Sequence, residues 1–100
     1  MDYYIENGVR RSVAAREAQL SAIWAVLHES GKPPTLILVK LEELHSPKTS
    51  ISRSDPRFVR AMKGMGSPQT RAKIPPIDVQ ILGETGQKTT VPLSQVVLDP

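Results

Sequence analysis

The sequence predicts a single α+β domain, on three observations. Short β-favouring runs recur along the chain at Tyr3-Tyr4-Ile5-Glu6, at Thr35–Leu41 and in the alternating stretch Ile77–Leu82. Two helical segments with recognisable start or stop signals lie between them. The 100 residues, 39% of them hydrophobic, suffice for one core and are too few for two domains. Three parts follow: a strand–turn–helix–hairpin half over 1–44, a basic loop and helix over 45–76, and C-terminal strands over 77–100.

Taken in order, Tyr3–Glu6 is a strand that stops at Asn7-Gly8, a strong turn signal. A helix begins at Arg10 or Arg11, carried by good helix formers through Gln19, with Val13, Ala14 and Ala18 as its buried stripe. Beyond Gln19 two readings are open. The helix continues through Trp24 to His28, or it stops near Leu20 and Ile23–Leu27 is a buried strand; periodicity does not separate a short apolar run. His28–Pro34 is a polar turn, Thr35–Leu41 a strand, and Glu42-Glu43-Leu44 a single helical turn. His45–Ser54 is expected as loop. The next helix has Asp55 as N-cap, Pro56 at its first position, Phe58, Val59 and Met62 as its apolar face, and Gly64 just past its end. Residues 65–76 are expected as loop closed by Pro75-Pro76. Then come the Ile77–Leu82 strand, a turn at Gly83–Gln87, a segment Thr89–Leu93 pairing back, and Val96–Leu98 ending the core.

Charge is unevenly distributed. The net +3 conceals a neutral segment over 1–34 and a balance of +6 over 45–73, where Lys48, Arg53, Arg57, Arg60, Lys63, Arg71 and Lys73 face Asp55 alone. A basic middle on a near-neutral body points to a polyanion surface, against the plainer reading of a solvated basic loop. With no cysteine, disulfides, thiolate metal sites and cysteine nucleophiles are excluded. No apolar run approaches the roughly 20 residues that span a bilayer, and no basic-then-apolar leader is seen.

The stretch Asn7–Leu27 concentrates the chemistry. Asn7-Gly8 lead into Arg10 and Arg11 at the start of an alanine-rich helix, so backbone N–H groups, a helix dipole and two guanidinium groups surround one spot. That corner suits a phosphate; the alternative is an arginine paired with Glu6 or Glu17. For proton transfer, His45 is the first candidate, because it opens the basic loop, and His28 the second. RNA supplies its own 2′-hydroxyl nucleophile, so its cleavage needs no metal, and the acidic residues form no ligand cluster: Asp55 reads as a cap, and Glu42-Glu43 would point to opposite faces of a strand. No metal and no cofactor are therefore expected. Arg57, Arg60 and Lys63 would hold a nucleic-acid backbone, or simply be solvated. Trp24 is expected in the core, with stacking on a base as the alternative.

Gly8-Val9-Arg10-Arg11, Ala14-Ala15-Arg16-Glu17-Ala18 and the apolar run Ile23–Leu27 resemble the strand–turn–helix–strand segment of the ParB/sulfiredoxin superfamily, whose ParB-like members carry Gly-x-Arg-Arg in the turn. The resemblance implies a small mixed sheet with one or two short helices packed on it. It also decides for the strand at Ile23–Leu27. This chain departs from the pattern at Gln19, where a glycine usually ends the helix, and at Trp24, in place of a proline. The turn also lacks the reactive cysteine of sulfiredoxin-type members, which rules out their sulfinic-acid repair chemistry, and the Asn-Pro-Arg motif of ParB-like nucleotide sites has no counterpart.

Together with the Gly31–Pro34 turn, the Leu41–Phe58 stretch and the C-terminal segments Pro76–Gln87 and Pro92–Val96, the whole chain is similar to ParB-like domains at the C-terminal ends of bacterial polymorphic toxins. That similarity implies a growth-inhibitory domain released from a larger secreted protein, active in a target-cell cytoplasm and blocked by an immunity protein, expected to be acidic. The expected activity is metal-independent cleavage of RNA, with tRNA as one candidate. Arg10 and Arg11 would hold the phosphate and His45 would move protons. The alternative is a non-enzymatic nucleotide- or DNA-binding module.

Overall fold

The computed structural model describes residues 1–84, 86–87 and 89–100. Its elements run β1 (Tyr3–Asn7), α1 (Val9–Glu17), β2 (Ala22–Leu27), β3 (Thr35–Lys40), β4 (Leu44–Pro47), β5 (Ser50–Ser52), α2 (Pro56–Met65), α3 (Pro68–Arg71), β6 (Ile77–Ile81), β7 (Thr90–Pro92) and β8 (Val97–Asp99). Single 3₁₀ turns lie at Leu41–Glu43 and Leu93–Gln95. Six strands form a mixed sheet in the order β3-β2-β6-β1-β4-β7, and β5 pairs with β8 beside it. β2 and β3 are an antiparallel hairpin, as expected. The two central strands are β6 and β1; β6 runs parallel to β2 and antiparallel to β1.

The sheet buries one face. Ile5, Ala25, Val39, Leu44 and Val79 point inward and are wholly buried, and α1 lays Val13, Ala14 and Ala15 against the same core. Two adjacent alanines bring the helix backbone close to the sheet with little side chain between them. α1 begins one residue earlier than expected, at Val9, behind Gly8 at φ 117°. A Cβ at Gly8 would lie 2.5 Å from Ile77 Cγ2, so both backbone conformation and close approach require glycine there. α1 ends as a Schellman motif: Leu20 N–H donates to Ala15 O and Gln19 N–H to Arg16 O, each at 3.0 Å, with Gln19 left-handed at φ 61°.

On the opposite face of the hairpin, Trp24, Leu36 and Leu38 are exposed. Trp24 pairs across the hairpin with Leu38, and Val26 with Leu36, all on this outer side. The pairings of Val26 with Asp78 and of Tyr4 with both Gln80 and His45 extend the outer row across β6, β1 and β4.

Several expectations are corrected. Trp24 is 56% exposed rather than in the core. In a strand only every second residue points inward, and Ile23, Ala25 and Leu27 take those places. His45–Ser54 is not simply loop: Leu44 and Ser46 alternate inward in β4, which pairs parallel with β1, and Ile51 is buried in β5. Residues 65–76 contain α3, where the Ser67 side chain accepts from Thr70 N–H at 3.3 Å and Pro68 follows the cap. Gly64 lies inside α2, whose C-cap is Gly66, and its missing side chain admits Ile74: a Cβ would come within 2.7 Å of Ile74 Cδ1. Phe58 and Met65 are the buried residues of α2, with Ala61 and Met62 packed against the core. This i, i+3, i+4, i+7 set leaves Val59 42% exposed. The segment after the last turn pairs with β4 instead of returning onto β6. The turn expected at Gly83–Gln87 includes residue 85, outside the described residues. No described helix is long and apolar enough to cross a membrane.

Candidate nucleic-acid interface

The β1–α1 turn opens onto a groove whose far wall is α2 and the segment after α3. Arg10 and Arg11 from the turn, Arg57 and Arg60 from α2, and Lys73 line it, with Asn7, Gly8 and Thr70, around a volume of about 530 Å³. Five cations from segments far apart in sequence thus face one space. Asp55 pins one side of it. Its carboxylate accepts from Arg10 Nε at 2.8 Å and, as the N-cap of α2, from Arg57 N–H at 2.9 Å. The hydrogen bond from Arg10, then that from the Arg57 backbone, lowers the Asp55 carboxyl from its ordinary value to about 2. The five cations line the groove with no carboxylate among the lining residues; Asp55 at Arg10 and Arg57, and Asp78 near Arg11, are the acids that offset them. The side chains of Arg60 and Lys73 have no hydrogen-bond or ion-pair partner among the described residues.

Arg11 closes the groove on the sheet side. Its Nη1 donates to the carbonyls of Pro75 at 2.9 Å and Pro76 at 2.8 Å, which tie the α1 start to the approach of β6. Burial lowers the Arg11 pKa, and the nearby Asp78 charge opposes that shift. The expected pairing of an arginine with Glu6 or Glu17 is not what holds the turn: Arg10 uses Asp55 and Arg11 uses backbone carbonyls. Glu17 instead meets Arg16 at 3.2 Å and Arg53 at 3.9 Å. At the start of α1, no acidic side chain stands in the first turn and none caps it.

The predicted basic residues divide. Arg57, Arg60 and Lys73 join Arg10, Arg11, Asn7 and Gly8 in the groove. Arg71 lines a neighbouring cleft, with Nη1 donating to Met65 O at 2.8 Å. Lys63 is exposed on α2 outside the lining residues, Lys48 is exposed between β4 and β5, and Arg53 leans towards Glu17. His45 is also set apart. It sits opposite Tyr4 in β4 with Nε2 3.3 Å from Asp2 Oδ2, and its side chain is only 17% exposed. Tyr4 lies four residues before Gly8, and at roughly 3.3 Å per residue that places His45 about 13 Å along the strand direction from the turn.

The other histidine, His28, lies outside the groove lining at the same level of the sheet as His45, and only its side chain reaches back one residue to Asp78. His28 leaves the end of β2 with its N–H donating to Val79 O at 2.9 Å, and its Nε2 lies 2.8 Å from Asp78 Oδ1. Asp78 is in turn the β6 partner of Asn7, directly before Gly8. A carboxylate that orients an imidazole is an arrangement used for general acid–base chemistry. Asp78 was not singled out from the sequence. The alternation of Ile77-Asp78-Val79 places it on the outer face, but only the insertion of β6 between β2 and β1 brings it to His28 and the turn. Among the described residues, no three His, Cys, Asp or Glu side chains come together as metal ligands.

No protein-family model matches this chain, and neither does any curated protein or solved structure.

Proposed function

We propose that this domain binds the phosphodiester backbone of a nucleic acid, RNA in the first place, in the groove between the β1–α1 turn and α2. The observation that carries this reading is the convergence of Arg10, Arg11, Arg57, Arg60 and Lys73 on one groove with no carboxylate among its lining residues. A flat basic helix face would only hold counterions; cations on opposing walls hold a chain of phosphates in register. The test is fluorescence anisotropy with labelled single- and double-stranded oligonucleotides across 25–400 mM salt. About five phosphate contacts on a single strand give a log–log slope of roughly −3 to −4. Affinity that is weak at low salt, or that does not respond to salt, refutes the reading.

A second reading, metal-independent cleavage of the bound RNA, is favoured by the His28–Asp78 pair. In this reading His28 takes the proton-transfer role first expected of His45, Asp78 orients its ring, and the 2′-hydroxyl attacks a phosphate whose developing charge is met by Arg10 and Arg11. Intact RNA after incubation with the wild-type domain rules it out. Cleavage that is lost in His28→Ala and kept in His45→Ala supports it.

The order of strand, turn, helix and strand over Tyr3–Leu27 supports a ParB/sulfiredoxin-like fold as the finer architecture. The growth-inhibitory role, the delivery from a secreted parent protein and the acidic immunity partner rest on the toxin-like sequence features. An acidic protein would dock on the same cationic groove, and competition between it and an oligonucleotide would show this.

A further inference from the structure

Trp24 is the chain's only tryptophan and stands 56% exposed on the outer sheet face beside its cross-strand partner Leu38. It borders a cleft of about 320 Å³ whose lining includes Ile74, Pro75 and Pro76, with Arg11 and Arg71 as its charged members. Arg11, Ile74 and Pro75 line the cationic groove as well, so the two spaces share a wall. The cleft is at the small end of ligand sites, which run to roughly 300–1,000 Å³, and is mainly apolar with two guanidinium groups. Both arginines are held by backbone carbonyls through Nη1, which leaves their other N–H groups available at fixed positions.

We infer that the cleft receives an unpaired nucleobase, stacked against Trp24, from a single strand whose phosphates lie in the adjoining groove. The inference rests on the groove reading above and extends it to the state of the strand. Stacking needs a free π-face, and a base inside a duplex presents only its edge, so the occupant is a single strand or an unpaired position in one. Every base has such a face, so stacking itself tolerates many sequences. The continuity with the cationic groove favours this occupant over a second copy of the chain on the same apolar face, since like charges would then be brought together.

Because Trp24 is unique, its emission reports on the cleft alone. Single-stranded rU12 and dT12 should quench it on titration, while an abasic sugar-phosphate oligomer and a blunt duplex bind without quenching. Trp24→Ala should weaken single-strand binding roughly 5- to 150-fold with little effect on the duplex, and Trp24→Phe should restore most of it. Adenosine, which has a base but no phosphate, should quench at millimolar concentration. Single strands that bind without quenching, and bind Trp24→Ala equally well, overturn the cleft inference and leave the groove reading standing. Quenching by adenosine without oligonucleotide binding sinks the groove reading instead, and absence of both sinks the two together. Emission that shifts with protein concentration alone, with no response to nucleosides or oligonucleotides, assigns the face to a second copy and overturns the inference.

Discussion

Replacing Gln19 by glycine should stabilise the domain. Gln19 holds the left-handed C′ position of the α1 Schellman motif at φ 61°, a conformation that costs an L-residue roughly 1–2 kcal/mol. Its side chain is exposed and has no hydrogen bond among the described residues, so little is lost with it. Both capping bonds, to Ala15 O and Arg16 O, are made by backbone and survive the change. Glycine brings back a more flexible unfolded chain at a cost of about 0.5–1 kcal/mol, which leaves a net gain of about 0.5–1 kcal/mol. For a domain of this size that raises Tm by about 2–8 °C. Urea unfolding followed by far-UV circular dichroism should show a higher midpoint with an unchanged m-value. Gln19→Ala serves as the control, because alanine keeps the left-handed cost and should gain nothing. If Gln19→Gly lowers the midpoint, or if alanine stabilises as much, the strain at this position is not what the geometry implies.

Gly8→Ala should destabilise by more than about 2 kcal/mol, because it places a Cβ 2.5 Å from Ile77 Cγ2 at a φ of 117°; urea unfolding measures the loss. Asp55→Asn should change how stability depends on acid. The folded-state pKa of Asp55, about 2, lies below the ordinary 3.8, so its contribution is complete above about pH 4 and is lost as pH falls towards 2. The wild type should therefore lose stability relative to Asp55→Asn across that window, and parallel curves would refute the assignment. Arg60→Ala and Lys73→Ala should fold normally and each reduce the salt slope of single-strand binding by about 0.7, read by anisotropy.

Local signals were legible where neighbouring residues set them. Asp55 and Pro56 marked the start of α2, Asn7-Gly8 the end of β1, and Pro75-Pro76 the entry to β6. Gln19 is a non-glycine residue at a helix end, and the structure supplies its meaning as a left-handed cap. What the sequence did not disclose depends on pairing between distant segments. His45–Pro47 looks like loop because a four-residue strand carries almost no pattern; only the place of β4 beside β1 makes it part of the sheet. Trp24 looked like core because its neighbours are apolar, and the strand's alternation sends it outward. The candidate site behaved likewise. Its arginines were evident from the turn, Arg57 and Arg60 from the helix face, but the His28–Asp78 pair exists only because β6 comes to lie between β2 and β1. His45, chosen for its basic neighbours in sequence, is carried away from the groove by β4.

The position of β6 also governs how the chain reaches this structure. β1 and β2 lie within the first 27 residues, yet they are not neighbours in the sheet; each pairs with β6, through Ile5 opposite Val79 and Ala25 opposite Ile77. Closing those pairings draws together segments separated by more than half the chain, the kind of search that slows folding. During synthesis the apolar faces of β1 and α1 and of the β2–β3 hairpin are made early and wait for a shared partner, so residues 1–44 are half a sheet rather than a folding unit. A chain interrupted before Ile77 would present those surfaces to the chaperones and proteases of the cell, and only the last quarter of the sequence commits it to the native sheet.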